Sequence, residues 1–176
     1  HPNRHKYDLS SLEAVSYGGA PSASELVRKI KEVWPNAMPG NGWGMTETSP
    51  MCVLSFPPRD AGPEEALIWQ AKSGRPVAGM EVRIVDDADQ PLAEDGQTIG
   101  HLQLRGPWVT AGYHLQSEGD GSLSPDGWLR TGDAGTIDTL GYVQITDRTK
   151  DLIKSGGEWI SSVDLENDIS RFPGVA

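Results

Sequence analysis

Cysteine is almost absent from this chain: Cys52 stands alone among 176 residues. That excludes an internal disulfide framework and a zinc cage built on several cysteines. A reducing, cytoplasmic setting is the expectation. Basic residues are scarce too, 15 Lys and Arg against 25 Asp and Glu, for a net charge of −10. Such a chain is poorly suited to gripping a nucleic-acid backbone. It offers no polybasic patch for a membrane surface. No apolar run approaches the roughly 20 residues of a transmembrane span, and no signal-peptide pattern opens the sequence. Neither a G-x-x-x-x-G-K-[ST] phosphate loop nor a G-x-S-x-G nucleophile elbow is present. No internal repeat stands out. What is plentiful is glycine (21) and proline (13), the mark of a turn-rich globular chain of about one domain. The chain begins at His1 rather than Met, so a piece of a longer protein is expected.

Residues 14–17 read as a short buried strand that ends at Gly18-Gly19-Ala20-Pro21. Ser22 and Glu25 have the spacing of a capping box, which predicts a helix from there. Ala23, Leu26, Val27, Ile30, Val33 and Trp34 fall on one helical face. Glu25 with Lys29 and Arg28 with Glu32 form (i, i+4) pairs on the other. Pro35 stops the helix. A second strand leading to Gly42-Trp43-Gly44 completes a parallel strand–helix–strand unit over residues 13–51. Loops after parallel strands open on the ligand-binding edge of a sheet. Gly18-Gly19 and Gly44-Met45-Thr46-Glu47 are therefore expected to face one crevice.

The grammar changes over residues 74–146. Short alternating runs at 81–85, 101–104, 128–131 and 142–145 predict an antiparallel meander or small barrel. Residues 86–90 read as a turn and 116–127 as an exposed loop. A strand at 152–154, a tight turn at 155–158 and a helix from Ser161 or Ser162 follow. That helix has Leu165, Ile169 and Phe172 on one face. The expected class is α+β, with a boundary near Lys150 separating a main portion (1–149) from the opening of a second unit (150–176).

Three strings carry chemistry. Gly42-Trp43-Gly44-Met45-Thr46-Glu47-Thr48-Ser49-Pro50 combines close-approach glycines, an aromatic suited to a planar base, and a hydroxyl beside a carboxylate suited to phosphate and Mg2+. It also reads as a glycine-rich strand end. Trp128-Leu129-Arg130-Thr131-Gly132-Asp133 ends a strand in a carboxylate that could accept from both hydroxyls of a ribose, or simply make a turn. Asp147-Arg148-Thr149-Lys150-Asp151 is either a solvated linker or a hinge at an element end. His1 and His5 lack a third metal ligand. His101 and His114 read as structural. Asp120 and Asp126 lack the ligand spacing of a calcium loop.

Taken in order, these strings resemble the adenylate-forming acyl-CoA synthetase family, which includes firefly luciferase and peptide-synthetase adenylation domains. The resemblance rests on Gly18 to Pro21, Gly42 to Pro50, Arg105-Gly106-Pro107 with Gly112-Tyr113, Gly127 to Asp133, and Asp147 to Glu158. The ending Ile153 to Ser162 is similar to fatty-acyl-CoA ligases of the medium- and long-chain type. The resemblance implies a two-step ligase using ATP, Mg2+ and coenzyme A on a small-molecule carboxylic acid. It implies the last part of a large AMP-binding domain, with a β-barrel-like subdomain, followed by the start of a small α/β lid domain. Gly19, Ala20 and Pro21 would line the adenine pocket beside Gly42 and Gly44, and Trp43 would stack on the base. Thr46 would bind phosphate and Glu47 would hold Mg2+. Asp133 would take the ribose hydroxyls with Arg148 assisting, and Met45 would face the acyl pocket. Lys150 falls at the family's hinge. Lys154 and the Gly156-Gly157-Glu158 turn would serve thioester formation. His101 stands where relatives often carry Glu. The family's upstream phosphate loop and its C-terminal adenylation lysine are absent, so this chain alone is expected to be inactive. Aryl, short-chain or thioether acids, a carrier-protein thiol acceptor, and a non-enzymatic nucleotide-binding or scaffold role are the competing readings.

Overall fold

Two four-stranded sheets and a terminal hairpin make up the chain, in a computed structural model that describes residues 6–18, 24–114, 121–155, 158–162, 165, 169, 172 and 174. For Ser24, Glu25, Lys154 and Glu158 only the backbone is described. The first sheet is built from β1 (Ala14–Gly18), β2 (Met38–Gly44), β3 (Met51–Leu54) and β4 (Arg75–Pro76), in that spatial order. β1 and β2 are parallel, with Gly18 opposite Gly42, and helix α1 (Ser24–Val33) connects them. The expected strand–helix–strand unit is therefore present. β3 and β4 then add antiparallel strands. Helix α1 buries a narrower stripe than its pattern predicts: Val27 and Ile30 are covered while Leu26 faces outward. The predicted cap at Ser22 and Glu25 lies outside what is described.

Helix α2 (Pro63–Ala71) was not anticipated from the sequence. Proline near its start and Glu64 and Glu65 in its first turn suit a helix N-terminus. Its C-terminal carbonyls, orphaned in any helix, are taken by side chains from the first sheet. Ser55 Oγ donates to Trp69 O at 2.6 Å and Tyr17 OH to Gln70 O at 2.8 Å. Asn41 Nδ2 donates to both Ala71 O and Lys72 O at 3.1 Å.

The second sheet is the predicted meander: β5 (Glu81–Val85), β6 (Gly100–Arg105), β7 (Leu129–Ile137) and β8 (Val143–Arg148), each antiparallel to the next. One face joins the first sheet in a shared core of Trp43, Cys52, Val53, Met80, Ile84, Leu102, Leu104, Leu129, Ile137 and Val143. Part of the outer face is covered by a network of charged side chains, and the terminal hairpin meets it at His101. The Trp128 ring lies between the guanidinium groups of Arg83 and Arg105, 4.4 and 4.5 Å from its centroid. Arg83 also bonds Asp126, and Arg105 bonds Glu81. Buried Gln103 accepts from Arg83 and donates to Asp89, which in turn holds Arg130.

β7 corrects one expectation. Its strand does not stop before Asp133 but continues to Ile137. His101 pairs with Ala134 whereas Gln103 pairs with Arg130, so β7 carries extra residues between those pairs. Gly132 adopts φ +73 there. Asp133 is thus presented by a bulge, a device that re-aims a side chain within a sheet.

Beyond β8, β9 (Ile153–Ser155) and β10 (Glu158–Ile160) pair as an antiparallel hairpin. Trp159 meets the His101 ring edge-on at 5.5 Å. Ser162 donates its N–H and its hydroxyl to Asp147 Oδ2, at 2.9 and 2.6 Å. The turn expected at 155–158 falls partly outside the described residues. Leu165, Ile169 and Phe172 are exposed. Among the described residues no helix is long and apolar enough to cross a membrane.

Candidate active site

The C-terminal ends of β1 and β2 border a cleft of about 490 Å3. Ser16, Tyr17 and Gly18 line one side; Gly42, Gly44, Met45, Thr46, Pro50 and Met51 line the other. The two loops expected to share a crevice therefore do so. A larger hollow of about 650 Å3 lies elsewhere, beside Phe56, Arg59 and Tyr142. Thr46 lines the smaller cleft and does not line this one, so the Thr46-bearing loop points to the smaller cleft.

The glycines of β2 are required by the chain itself. A Cβ on Gly44 would sit 1.8 Å from the Pro50 carbonyl oxygen, and one on Gly42 would meet the Met51 side chain at 2.2 Å. The close backbone approach read from Gly42-Trp43-Gly44 is, at the least, an approach to the following strand. After β2 the chain makes a single 3-10 turn, Thr46–Thr48. Thr48 fastens it from within. Its fully buried hydroxyl accepts from the Met45 N–H at 2.9 Å and lies 2.7 Å from the Pro50 carbonyl. The turn leaves Thr46 exposed. Met45 points both ways, lining the cleft and packing against the shared core.

Asp133 joins the two sheets. Its Oδ2 accepts the Trp43 indole N–H at 2.9 Å, a buried bond, and its Oδ1 lies 3.0 Å from Arg148 Nε. The carboxylate is 6% exposed. Burial raises its pKa above the usual 3.8, although Trp43 and Arg148 both favour the ionised form. Arg148 sits opposite Asp133 across the β7–β8 ladder, its side chain 55% exposed. Trp43 is 7% exposed and packs in the core shared by the two sheets, rather than standing as a free platform.

Glu47 is held differently. The Tyr113 hydroxyl donates to its Oε1 at 2.7 Å. That bond, with a smaller contribution from the Arg148 charge, lowers its pKa below the usual 4.5. The Glu47 backbone N–H also supports the ionised carboxylate; among the described residues no side chain other than Tyr113 donates to it, and the Thr46 hydroxyl is not engaged. A carboxylate and a hydroxyl therefore stand available on adjacent residues. No group of three or more His, Cys, Asp or Glu able to hold a metal exists among the described residues. This donor set suits Mg2+, which commonly takes one or two carboxylates and completes its shell with water and substrate phosphates.

The remaining expected site residues are placed unevenly. Lys150 is exposed in the turn after β8. Lys154 and Glu158 lie in the terminal hairpin, where Lys154 pairs with Trp159. Gly19, Ala20, Pro21, Gly156 and Gly157 lie outside the described residues, as do His1, His5 and Asp120. His101 bonds Asp87 at 2.8 Å and approaches Thr149 at 3.4 Å, in keeping with a structural role. Sequence reasoning assigned no role to Tyr113, Thr110 or Thr48. The local hydroxyl-to-backbone spacing of Thr48 could have been read. The pairing of Tyr113 with Glu47, 66 residues away, could not. Cys52 is buried, with its thiol pushed up to about 12 by desolvation, and it is unreactive packing.

Comparison with known proteins gives this geometry a context. The model of the family described as AMP-binding enzyme matches residues 1–114. A long-chain-fatty-acid–CoA ligase of Thermus thermophilus is 42% identical over 171 residues, 95% of this chain and 31% of the relative. A 3-methylmercaptopropionyl-CoA ligase of Ruegeria lacuscaerulensis is 42% identical, covering 96% of this chain and 31% of the relative. Among solved structures, the O-succinylbenzoate coenzyme A synthetase of Bacillus subtilis in complex with ATP and magnesium ion superposes with a TM-score of 0.76. It shares 29% identity over 93% of this chain and 32% of that one. The chain thus spans about a third of the length of these relatives. With the cleft, the glycine-flanked Thr46–Glu47 turn and the Asp133–Arg148 pair all in place, the chain belongs to the AMP-binding enzyme family.

Proposed function

We propose that this chain is part of an acid–thiol ligase that uses ATP to convert a fatty acid to its acyl-adenylate and then passes the acyl group to coenzyme A. In the first step a carboxylate oxygen of the acid attacks the α-phosphorus of ATP and pyrophosphate leaves. In the second the thiol of coenzyme A attacks the acyl carbon and AMP leaves. Neither step needs a protein nucleophile. The protein's task is to position the reactants and stabilise charge.

The observation that carries this reading is the Asp133 carboxylate held by both Trp43 and Arg148, with Trp43 lying in the chain between Gly42 and Gly44, which line the cleft. The Asp133 carboxylate, oriented from both sides, would accept the ribose hydroxyls. Trp43 would contact the base, with Gly19, Ala20, Pro21, Gly42 and Gly44 around it. Thr46 would donate to a phosphate oxygen. Glu47 would hold Mg2+, which when bound neutralises phosphate charge and acts as a Lewis acid. Met45 would border the acyl pocket. Residues 1–149 would form the end of the large domain and 150–176 the opening of the lid. Lys150 would be the hinge, and Lys154 with Gly156, Gly157 and Glu158 would serve the thioester step.

Acid-dependent ATP–pyrophosphate exchange by the intact parent protein tests this, with acids from acetate to palmitate, benzoate and 3-methylmercaptopropionate. Exchange peaking with a mid- or long-chain acid is expected. A second reading, a thioether-acid ligase, is favoured by the 42% identity to the Ruegeria enzyme and would give a peak with that acid instead. ATP binding without exchange for any acid would overturn both.

A further inference from the structure

We propose that Tyr113 is a positioning residue that aims the Glu47 carboxylate at the divalent cation accompanying the nucleotide phosphates. The inference rests on the reading of Glu47 as the cation-holding residue. It adds the device by which a glutamate on an exposed turn is made to point one way.

The segment 106–113 lies along the turn like a strap. The Thr110 N–H donates to the Glu47 carbonyl at 2.8 Å. The Trp108 indole N–H reaches the Met51 carbonyl at 3.3 Å, and the Ser49 hydroxyl reaches the Trp108 carbonyl at 3.4 Å. The strap thus fastens the chain at Glu47 and just after it, and Tyr113 fastens the Glu47 side chain. Glutamate is rich in rotamers, and ordering it costs entropy at the moment a ligand binds. With Oε1 held at 2.7 Å by Tyr113 and the Glu47 backbone N–H also bonding the carboxylate, the group has a preferred direction and part of that cost is met in advance. The donor is suited to the task. A phenol hydroxyl donates one hydrogen bond without contributing charge, so the carboxylate keeps its full charge for a cation. Tyr113 is 44% exposed, so core packing does not account for its placement. Hydrogen-bond partners of metal-ligating carboxylates commonly set metal affinity in this way.

The test uses the intact parent protein and Tyr113→Phe, which removes one hydroxyl. Mn2+ serves as a paramagnetic probe, its binding to the protein–ATP complex followed by electron paramagnetic resonance. Tyr113→Phe is expected to weaken Mn2+ binding about 10-fold. The Mg2+ concentration giving half-maximal exchange is expected to rise in parallel. ATP affinity in EDTA and kcat at saturating Mg2+ are expected to stay within about twofold. In a Glu47→Gln background the same change is expected to have no further effect, the signature of action through Glu47. Unchanged Mn2+ binding in Tyr113→Phe would overturn the proposal alone, as would equal losses in the presence and absence of Glu47. Failure of the wild-type protein to bind Mn2+ with ATP would overturn the reading of Glu47 and this proposal together.

Discussion

Asp133 and Glu47 bring two carboxylates to one neighbourhood from opposite surroundings. Asp133 is buried in a bulged strand, with one oxygen on an indole N–H and the other on a guanidinium. Burial keeps its pKa high. Glu47 stands on a three-residue turn with its carboxylate held by a phenol hydroxyl and its own backbone N–H, and its pKa is low. The contrast separates two tasks. A carboxylate that must recognise neutral hydroxyls benefits from burial, where each hydrogen bond counts for more. One that must meet a hydrated cation benefits from exposure, because Mg2+ keeps much of its water.

Removing the buried member is expected to have the largest effect. In the intact protein Asp133→Ala is predicted to weaken ATP binding by roughly 2–4 kcal/mol, two charged hydrogen bonds being lost. It also leaves the Trp43 N–H without its acceptor, so stability is expected to fall alongside. Isothermal titration with ATP checks the first effect, and an affinity within threefold of wild type would refute the ribose role. Gly44→Ala breaks the other side of the comparison by forcing a methyl group into the Pro50 carbonyl. A stability loss of about 1–3 kcal/mol is expected in urea unfolding. A midpoint equal to wild type would show that the Thr46–Glu47 turn does not depend on this contact.

A smaller effect sharpens the contrast through pH. The folded state holds the Asp133 proton more tightly than the unfolded chain does. Its contribution to stability is therefore greatest below the usual 3.8 and declines as pH rises from there through the folded value. Glu47 has the opposite sign. Its contribution is present above the usual 4.5 and is lost as pH falls through its lowered folded value. Urea midpoints between about pH 3 and pH 6 should show Asp133→Asn removing a decline and Glu47→Gln removing a rise. The same change of slope in both variants would contradict the assignment.

The comparison also marks what a sequence can disclose. The parallel unit and the four meander strands were legible because each advertises itself locally, through period-two runs, glycine turns and a helical stripe. The loop edge followed from topology. Asp133 was found as a residue, but its mode of presentation was not, since a bulge arises from pairing between strands. Helix α2 escaped because little of it is held by an apolar stripe. Its moorings are Tyr17, Asn41 and Ser55 acting on carbonyls, contacts that leave no periodic trace. Trp43 was legible as an aromatic suited to a planar base, but that most of its area lies in the core was not. Tyr113 was visible as part of a motif, yet its partner was not.

The charge-covered outer face of the meander bears on the order in which the molecule assembles. From β5 to β8 each strand pairs with the next in sequence, a more local arrangement than pairing between distant strands and one that favours early formation. With Trp128 already covered by Arg83 and Arg105, this sheet needs no second layer on that side to shelter its largest aromatic ring. We infer that the meander folds first and that β2 arrives later, its Trp43 docking on a carboxylate already in place. Pulse-labelled hydrogen exchange during refolding should then find β6 amides protected ahead of those in β2, and the reverse order would reject the sequence of events. On this view the Asp133 carboxylate, proposed to meet the nucleotide, doubles as a landing mark for the chain's own indole.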